Sequence, residues 1–168
     1  METRSITAEI PMAPRMSDDP AALVPELAEV SAALFKVVGN GSLPRPTISL
    51  VQLRAGQILG STYLTVLHTG FLNKMGETQE RITSVASWQD SPYFTGPERA
   101  ALALVEAVLQ PATQGERVPD ELYAQAAEHY EPKALATLMF AIGQVNFFAA
   151  VALIAKPVPG RSFTDPWK

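Results

Sequence analysis

From Ala134 to Ala155 the chain runs for 22 residues without a charge, bracketed by Lys133 and Lys156. A stretch of that kind has two possible homes. It crosses a bilayer, for which about 20 apolar residues suffice, or it forms the central helix of a water-soluble helical protein, apolar all round because other helices cover it. Thr137, Gly143, Gln144 and Asn146 interrupt the run, alanines crowd its end, and no second such stretch occurs. A buried core helix is therefore the expectation, with no membrane partner.

The remaining sequence has to supply the helices that cover it. After Asp19, apolar residues recur at helical spacing, and no alternating run bounded by turn residues suggests a strand. The expected class is all-α, with about seven helices. The first should run from Pro20 to Val38 with Leu23, Leu27, Val30, Leu34 and Val38 on one face, and stop at Gly39-Asn40-Gly41. Pro44 and Pro46 open a second helix to about Leu59. A third runs from Gly60-Ser61 to Gly76, with Leu64, Leu67, Phe71 and Met75 expected on its buried face, and Glu77 to Trp88 forms a short fourth. Thr95 and Glu98 have capping-box spacing with Pro97 in the first turn, which starts a fifth helix through Leu109. Pro119 to His129 and Pro132 to Lys156 complete the set, after a loop from Pro111 to Val118.

Composition narrows the function. The 168 residues make one domain, expected over 20–157, with an extended N-terminal arm at 1–19 and a proline-rich tail at 158–168 lying on the surface or on a partner subunit. The first twenty residues lack an apolar core of signal-peptide length, so a cytoplasmic protein is expected. A net charge of −4 with 13 scattered basic residues argues against a nucleic-acid partner. The chain has no cysteine, which removes disulfides, thiolate metal sites and thiol nucleophiles at once. Its two histidines show no metal-ligand spacing, and neither a metal nor another cofactor is expected.

Residues 49–69, SLVQLRAGQILGSTYLTVLHT, closely resemble the active-site segment of the alkylhydroperoxidase D-like proteins of the carboxymuconolactone decarboxylase superfamily. That segment typically reads Glu-Leu-Val-x-Leu-Arg-x-x-Gln-Ile-x-Gly-Cys-x-Tyr-Cys-x-x-x-His. Ser49 stands here at the Glu position, Ser61 and Leu64 at the two Cys positions, and His68 at the His. Trp88, the run SPYFTGPERAALALVEAV at 91–108 and Asn146 extend the likeness over about residues 20–157. The resemblance implies an all-α, homo-oligomeric protein, a trimer, dimer or hexamer. In the family a thiolate reduces a peroxide, a second cysteine resolves it, and Glu and His relay protons. With three of those four positions changed, no thiol-dependent hydroperoxidase activity is expected.

Ser61, Leu64 and His68 fall at i, i+3 and i+7, one stripe of a helix. Ser61 is either a helix-start residue or part of a hydrolytic set with His68, for which Glu106 from the fifth helix is the candidate acid; two helical turns separate Ser61 and His68 by roughly 10 Å at Cα. His68 is either a hydrogen-bonded core residue or a general acid/base. Gln57 and Tyr63 line the inherited pocket with Ser49 and Leu64, or serve packing and capping. Arg54 is expected to pair with Glu77 or Glu80, Asn146 to form a buried interhelical hydrogen bond, His129 to cap a helix C-terminus, and Trp88, Tyr93 and Phe94 to serve core and subunit contact. Two functions follow: a protein binding a small apolar or weakly acidic molecule in that pocket, or a non-redox enzyme, a decarboxylase or isomerase, using His68.

Overall fold

The structure is a computed structural model and describes residues 12–168; most of the predicted N-terminal arm, residues 1–11, lies outside them. Among the described residues there are eight α-helices, one 3-10 helix and no strand. They are α1 (Pro20–Leu23), α2 (Leu27–Val38), α3 (Arg45–Ile58), α4 (Thr62–Lys74), α5 (Gln79–Thr83), the 3-10 helix Ser84–Asp90, α6 (Gly96–Leu109), α7 (Asp120–His129) and α8 (Pro132–Ile154). The capping box of α6 forms as its spacing requires. Thr95 Oγ1 accepts from Glu98 N at 3.4 Å, and the Glu98 carboxylate accepts from Thr95 N at 2.9 Å.

The single first helix expected over 20–38 is two helices. Pro25 has no amide hydrogen to give and forces the residue before it out of the helical region; Val24 accordingly sits at φ −127°, ψ 81°. Its expected inner face is also wrong, since only Val38 of α2 is buried. The Gly39–Gly41 stop is fixed to α8 by Asn40, whose Nδ2 donates to Thr137 Oγ1 at 2.8 Å. The fourth helix likewise divides, into α5 and the 3-10 turn, with a non-helical kink at Ser87.

The central element is α3, which packs against α4, α6, α8 and the 3-10 helix. That position explains its sequence. Val51 and Ala55 enter one cluster with Leu64, Val105, Leu138 and Val145. Leu50 and Leu53 enter a second with Leu72, Val85, Trp88 and Leu102. Each fully buried leucine contributes about 1.5–3 kcal/mol. Trp88 and Phe94 are in this second cluster as expected, whereas Tyr93 is half-exposed.

Two ion-pair groups tie the outer helices to this centre. Arg54 pairs with Glu106 of α6 at 2.7 Å rather than with Glu77 or Glu80. The same carboxylate accepts from Trp88 Nε1 and Gln89 Nε2, each at 2.9 Å. Glu77 is taken by Arg81 at 2.6 Å, and Arg81 also grips Glu98 and the Tyr93 carbonyl. Burial alone would raise the Glu98 carboxyl, but its hydrogen bonds from Arg81 and Thr95 outweigh burial and hold it below the usual range.

α8 is long and apolar enough to cross a membrane by length and composition, with half of its most apolar stretch buried in the fold. Leu135, Leu138, Ala141, Ile142, Val145 and Phe148 make its inner stripe, and Gln144 lies within it. Asn146 is on the opposite, exposed side, so the buried interhelical amide is Gln144 and not Asn146. At the end of α8, Lys156 adopts φ 48° and Pro157 prevents continuation. The tail turns back over its own helices. Trp167 Nε1 donates to Met16 O at 3.0 Å, while Arg15 and Met16 donate to Ala155 O, so residues 15–16 and the tail meet beside α8.

Candidate functional site

The α3–α4 corner sets the site. Gly60, at φ 67°, ends α3 in a left-handed turn in which Gly60 N donates to Gln57 O and Ser61 N to Gly56 O. Ser61 then begins the next helix, its Oγ accepting from Leu64 N at 3.3 Å. One residue thus closes α3 and opens α4, which folds the two helices tightly together. Gly56 is needed at their crossing, since a Cβ there would lie 3.0 Å from Thr65 N. The inner face of α4 carries Tyr63, Leu64, His68 and Leu72. The expected face with Phe71 and Met75 is rotated from this, and both of those residues are more than a third exposed.

His68 opens onto a cavity of about 310 Å3. Leu64, Leu67 and Phe71 of α4 line it beside the imidazole. Gln52 of α3, Phe35 of α2, and Gln144, Val145 and Phe148 of α8 supply the other walls, and Ser162, Phe163 and Thr164 of the tail cover it. A second cavity of about 320 Å3 lies between α1, α2 and the tail, with Tyr63 in its wall. The two share Phe35, Phe148, Ser162, Phe163 and Thr164, and the Phe163 ring stands 5.2 Å from both Tyr63 and Phe148, centroid to centroid.

Electrostatically the His68 cavity is neutral. Among the described residues no Asp, Glu, Lys or Arg lines it, and burial pushes the His68 imidazole down from 6.5 to about 4, so it is uncharged near pH 7. Its Nδ1 has no hydrogen-bond partner among the described residues, and Phe71 meets the ring edge-on at 5.7 Å. On α3 and α8, Gln52 Nε2 donates to Gln144 Oε1 at 2.8 Å and to Ala141 O at 3.2 Å, while Gln144 Nε2 is left without a partner. In the second cavity, burial and then the nearby Asp165 push the Tyr63 hydroxyl up to about 12.

The sequence-predicted site residues thus separate. His68 and Leu64 line the first cavity and Tyr63 the second. Ser49 and Ser61 are buried but line neither, and Gln57 accepts from Arg54 at 3.3 Å. Glu106, bound by Arg54, Trp88 and Gln89, does not complete a Ser61–His68 set. His129 ends α7, and its ring lies against Gly96. Among the described residues no group of three or more His, Asp or Glu is placed to hold a metal ion. Sequence reasoning missed the Gln52–Gln144 pair and the tail. The signal for the pair was present, as each amide interrupts an apolar helix stripe.

The family model for carboxymuconolactone decarboxylases matches residues 25–107. The chain is 32% identical over 131 residues to the uncharacterized protein YdfG of Bacillus subtilis, spanning 78% of this chain and 88% of that one. This chain belongs to the carboxymuconolactone decarboxylase family. A second relative, the uncharacterized protein YnjA of Escherichia coli, is 30% identical over 60% of this chain and 54% of its own length. Among solved structures, ATU0492 of Agrobacterium tumefaciens, a protein of unknown function and candidate antioxidant defence protein AhpD, superposes with a TM-score of 0.77 at 26% identity, over 86% of this chain and 98% of that one. Debrominase Bmp8, in complex with 2,3,4-tribromopyrrole, shares the fold at TM-score 0.70 and 19% identity, over 80% of this chain and 71% of its own. Within this family the chain is a member without cysteine, so a thiol-based step has no sulfur to begin from.

Proposed function

We propose that this family member binds a small molecule in the cavity beside His68 and has lost the family's thiol peroxide chemistry, acting as a cytoplasmic, homo-oligomeric pseudoenzyme. The observation that carries the reading is the cavity itself. Its about 310 Å3 lie at the reactive segment, and Leu64, at a cysteine position, forms part of its apolar wall. That volume is at the lower end of small-molecule sites. Assembly is supported by the outer face of α8, where Met139, Phe140, Phe147 and Ile154 are 44–65% exposed.

The alternative, a decarboxylase or isomerase with His68 as general acid/base, has less support. An imidazole lowered to about 4 is a weak base near pH 7, and no carboxylate orients its Nδ1. Native mass spectrometry of the protein from its own source, followed by denaturation, tests the binding reading. A stoichiometric small molecule is expected; a clean, empty protein overturns it. Light scattering on the same sample is expected to give a closed oligomer, and a monomer would overturn the assembly.

A further inference from the structure

Among the described residues, two buried side-chain atoms lack a hydrogen-bond partner: His68 Nδ1 and Gln144 Nε2. Both residues line the same cavity. Buried polar groups are nearly always paired, and an unpaired one is costly, so two orphans on side chains that line one cavity point to something that pairs with them. The orientation of the Gln144 amide follows from its neighbour. Gln52 Nε2 is held by the Ala141 carbonyl and donates to Gln144 Oε1, which leaves the Gln144 nitrogen as a donor.

We infer that this cavity selects an uncharged ring compound bearing a hydroxyl group, held through oxygen by the Gln144 amide and the His68 imidazole. The inference rests on the reading that the cavity binds a small molecule, and names the class. A charged ligand would be buried with no counterion among the described residues, because none of those that line the walls is ionised. The neutral imidazole offers one donor and one acceptor nitrogen, and Gln144 offers a donor. A hydroxyl group answers both, since it accepts and donates. The size admits a ring with substituents, because the about 310 Å3 are roughly twice the 150 Å3 cavity that holds benzene. Phe35, Phe71, Phe148 and Phe163 provide faces and edges against which an aromatic ring packs.

Titration calorimetry near pH 7 with 4-methylphenol, toluene and 4-methylbenzoate tests this on the full chain. The phenol is expected to bind about tenfold more tightly than toluene, with the benzoate weakest. In Gln144→Leu the preference for phenol over toluene should shrink, because only the His68 imidazole remains to hold the hydroxyl; Gln144→Met serves if circular dichroism shows that the leucine variant is unfolded. Toluene or the benzoate binding most tightly, or a phenol preference unchanged in a folded Gln144 variant, overturns the inference while leaving the cavity a binding site. If none of the three probes binds, or if Leu67→Phe, which fills the cavity, leaves phenol binding intact, the underlying reading falls as well.

Discussion

Burial of His68 should weaken this fold in acid. The His68 imidazole is buried with its pKa lowered to about 4, against an ordinary 6.5 in the unfolded chain. Above pH 6.5 neither state holds the extra proton and the fold has its full stability. As pH falls from about 6.5 to about 4, the unfolded chain takes up a proton that the folded chain refuses, so stability is lost across that window and levels off below it. The difference amounts to about 3 kcal/mol, or about 6–12 °C in Tm for a chain of this size. Urea unfolding, followed by circular dichroism from pH 7.5 to pH 3.5, measures it in the unaltered protein and in His68→Gln. Glu98, whose carboxyl is held low, also costs stability in acid, but equally in both proteins, so it cancels in the comparison. The gap between the two stability curves should change by about 3 kcal/mol across the window. Parallel curves would refute the burial argument for His68.

Three further outcomes are expected. The unaltered chain should not reduce peroxide with a dithiol, whereas Ser49→Glu with Ser61→Cys and Leu64→Cys should gain measurable dithiol-dependent peroxide consumption; a folded but inert triple variant would show that only the fold is shared. Gly56→Ala should lower stability by about 1–3 kcal/mol in urea unfolding, because its Cβ meets Thr65 N at 3.0 Å; an unchanged midpoint would refute the close crossing of α3 and α4. Glu106→Gln should cost about 2 kcal/mol by leaving the largely buried Arg54 charge without its partner, while Glu80→Gln, on the surface, should stay within about 0.5 kcal/mol. Equal midpoints for those two variants would contradict the assignment of the ion pair.

The helix starts were legible because their signals are local. Thr95 and Glu98 announce α6 by spacing alone, and Pro132 opens α8 where expected. Which way each helix faces was much less legible. α8 is apolar on both sides, so nothing in its own residues says that Gln144 points inward and Asn146 outward; the packing of α3 decides it. The same holds for α4, where Phe71 is as apolar as Leu72 but only Leu72 is fully buried. Pro25 was a readable break that the run of apolar residues masked. At the candidate site, His68 and Leu64 follow from the motif, whereas Phe35 and Phe163 reach the cavity only through chain reversals that local spacing does not encode.

The aromatic wall between the two cavities has an evolutionary consequence. Phe35 and Phe148 belong to helices, but Phe163 comes from a segment beyond α8 that contributes nothing to either buried cluster. Exposed segments outside the packed core tolerate change well, so the partition can be thinned or thickened by altering a few residues after α8 while the helical core keeps its packing. On the proposed binding reading, exchange of residues 157–168 would retune the length of molecule admitted, from one chamber to two joined ones.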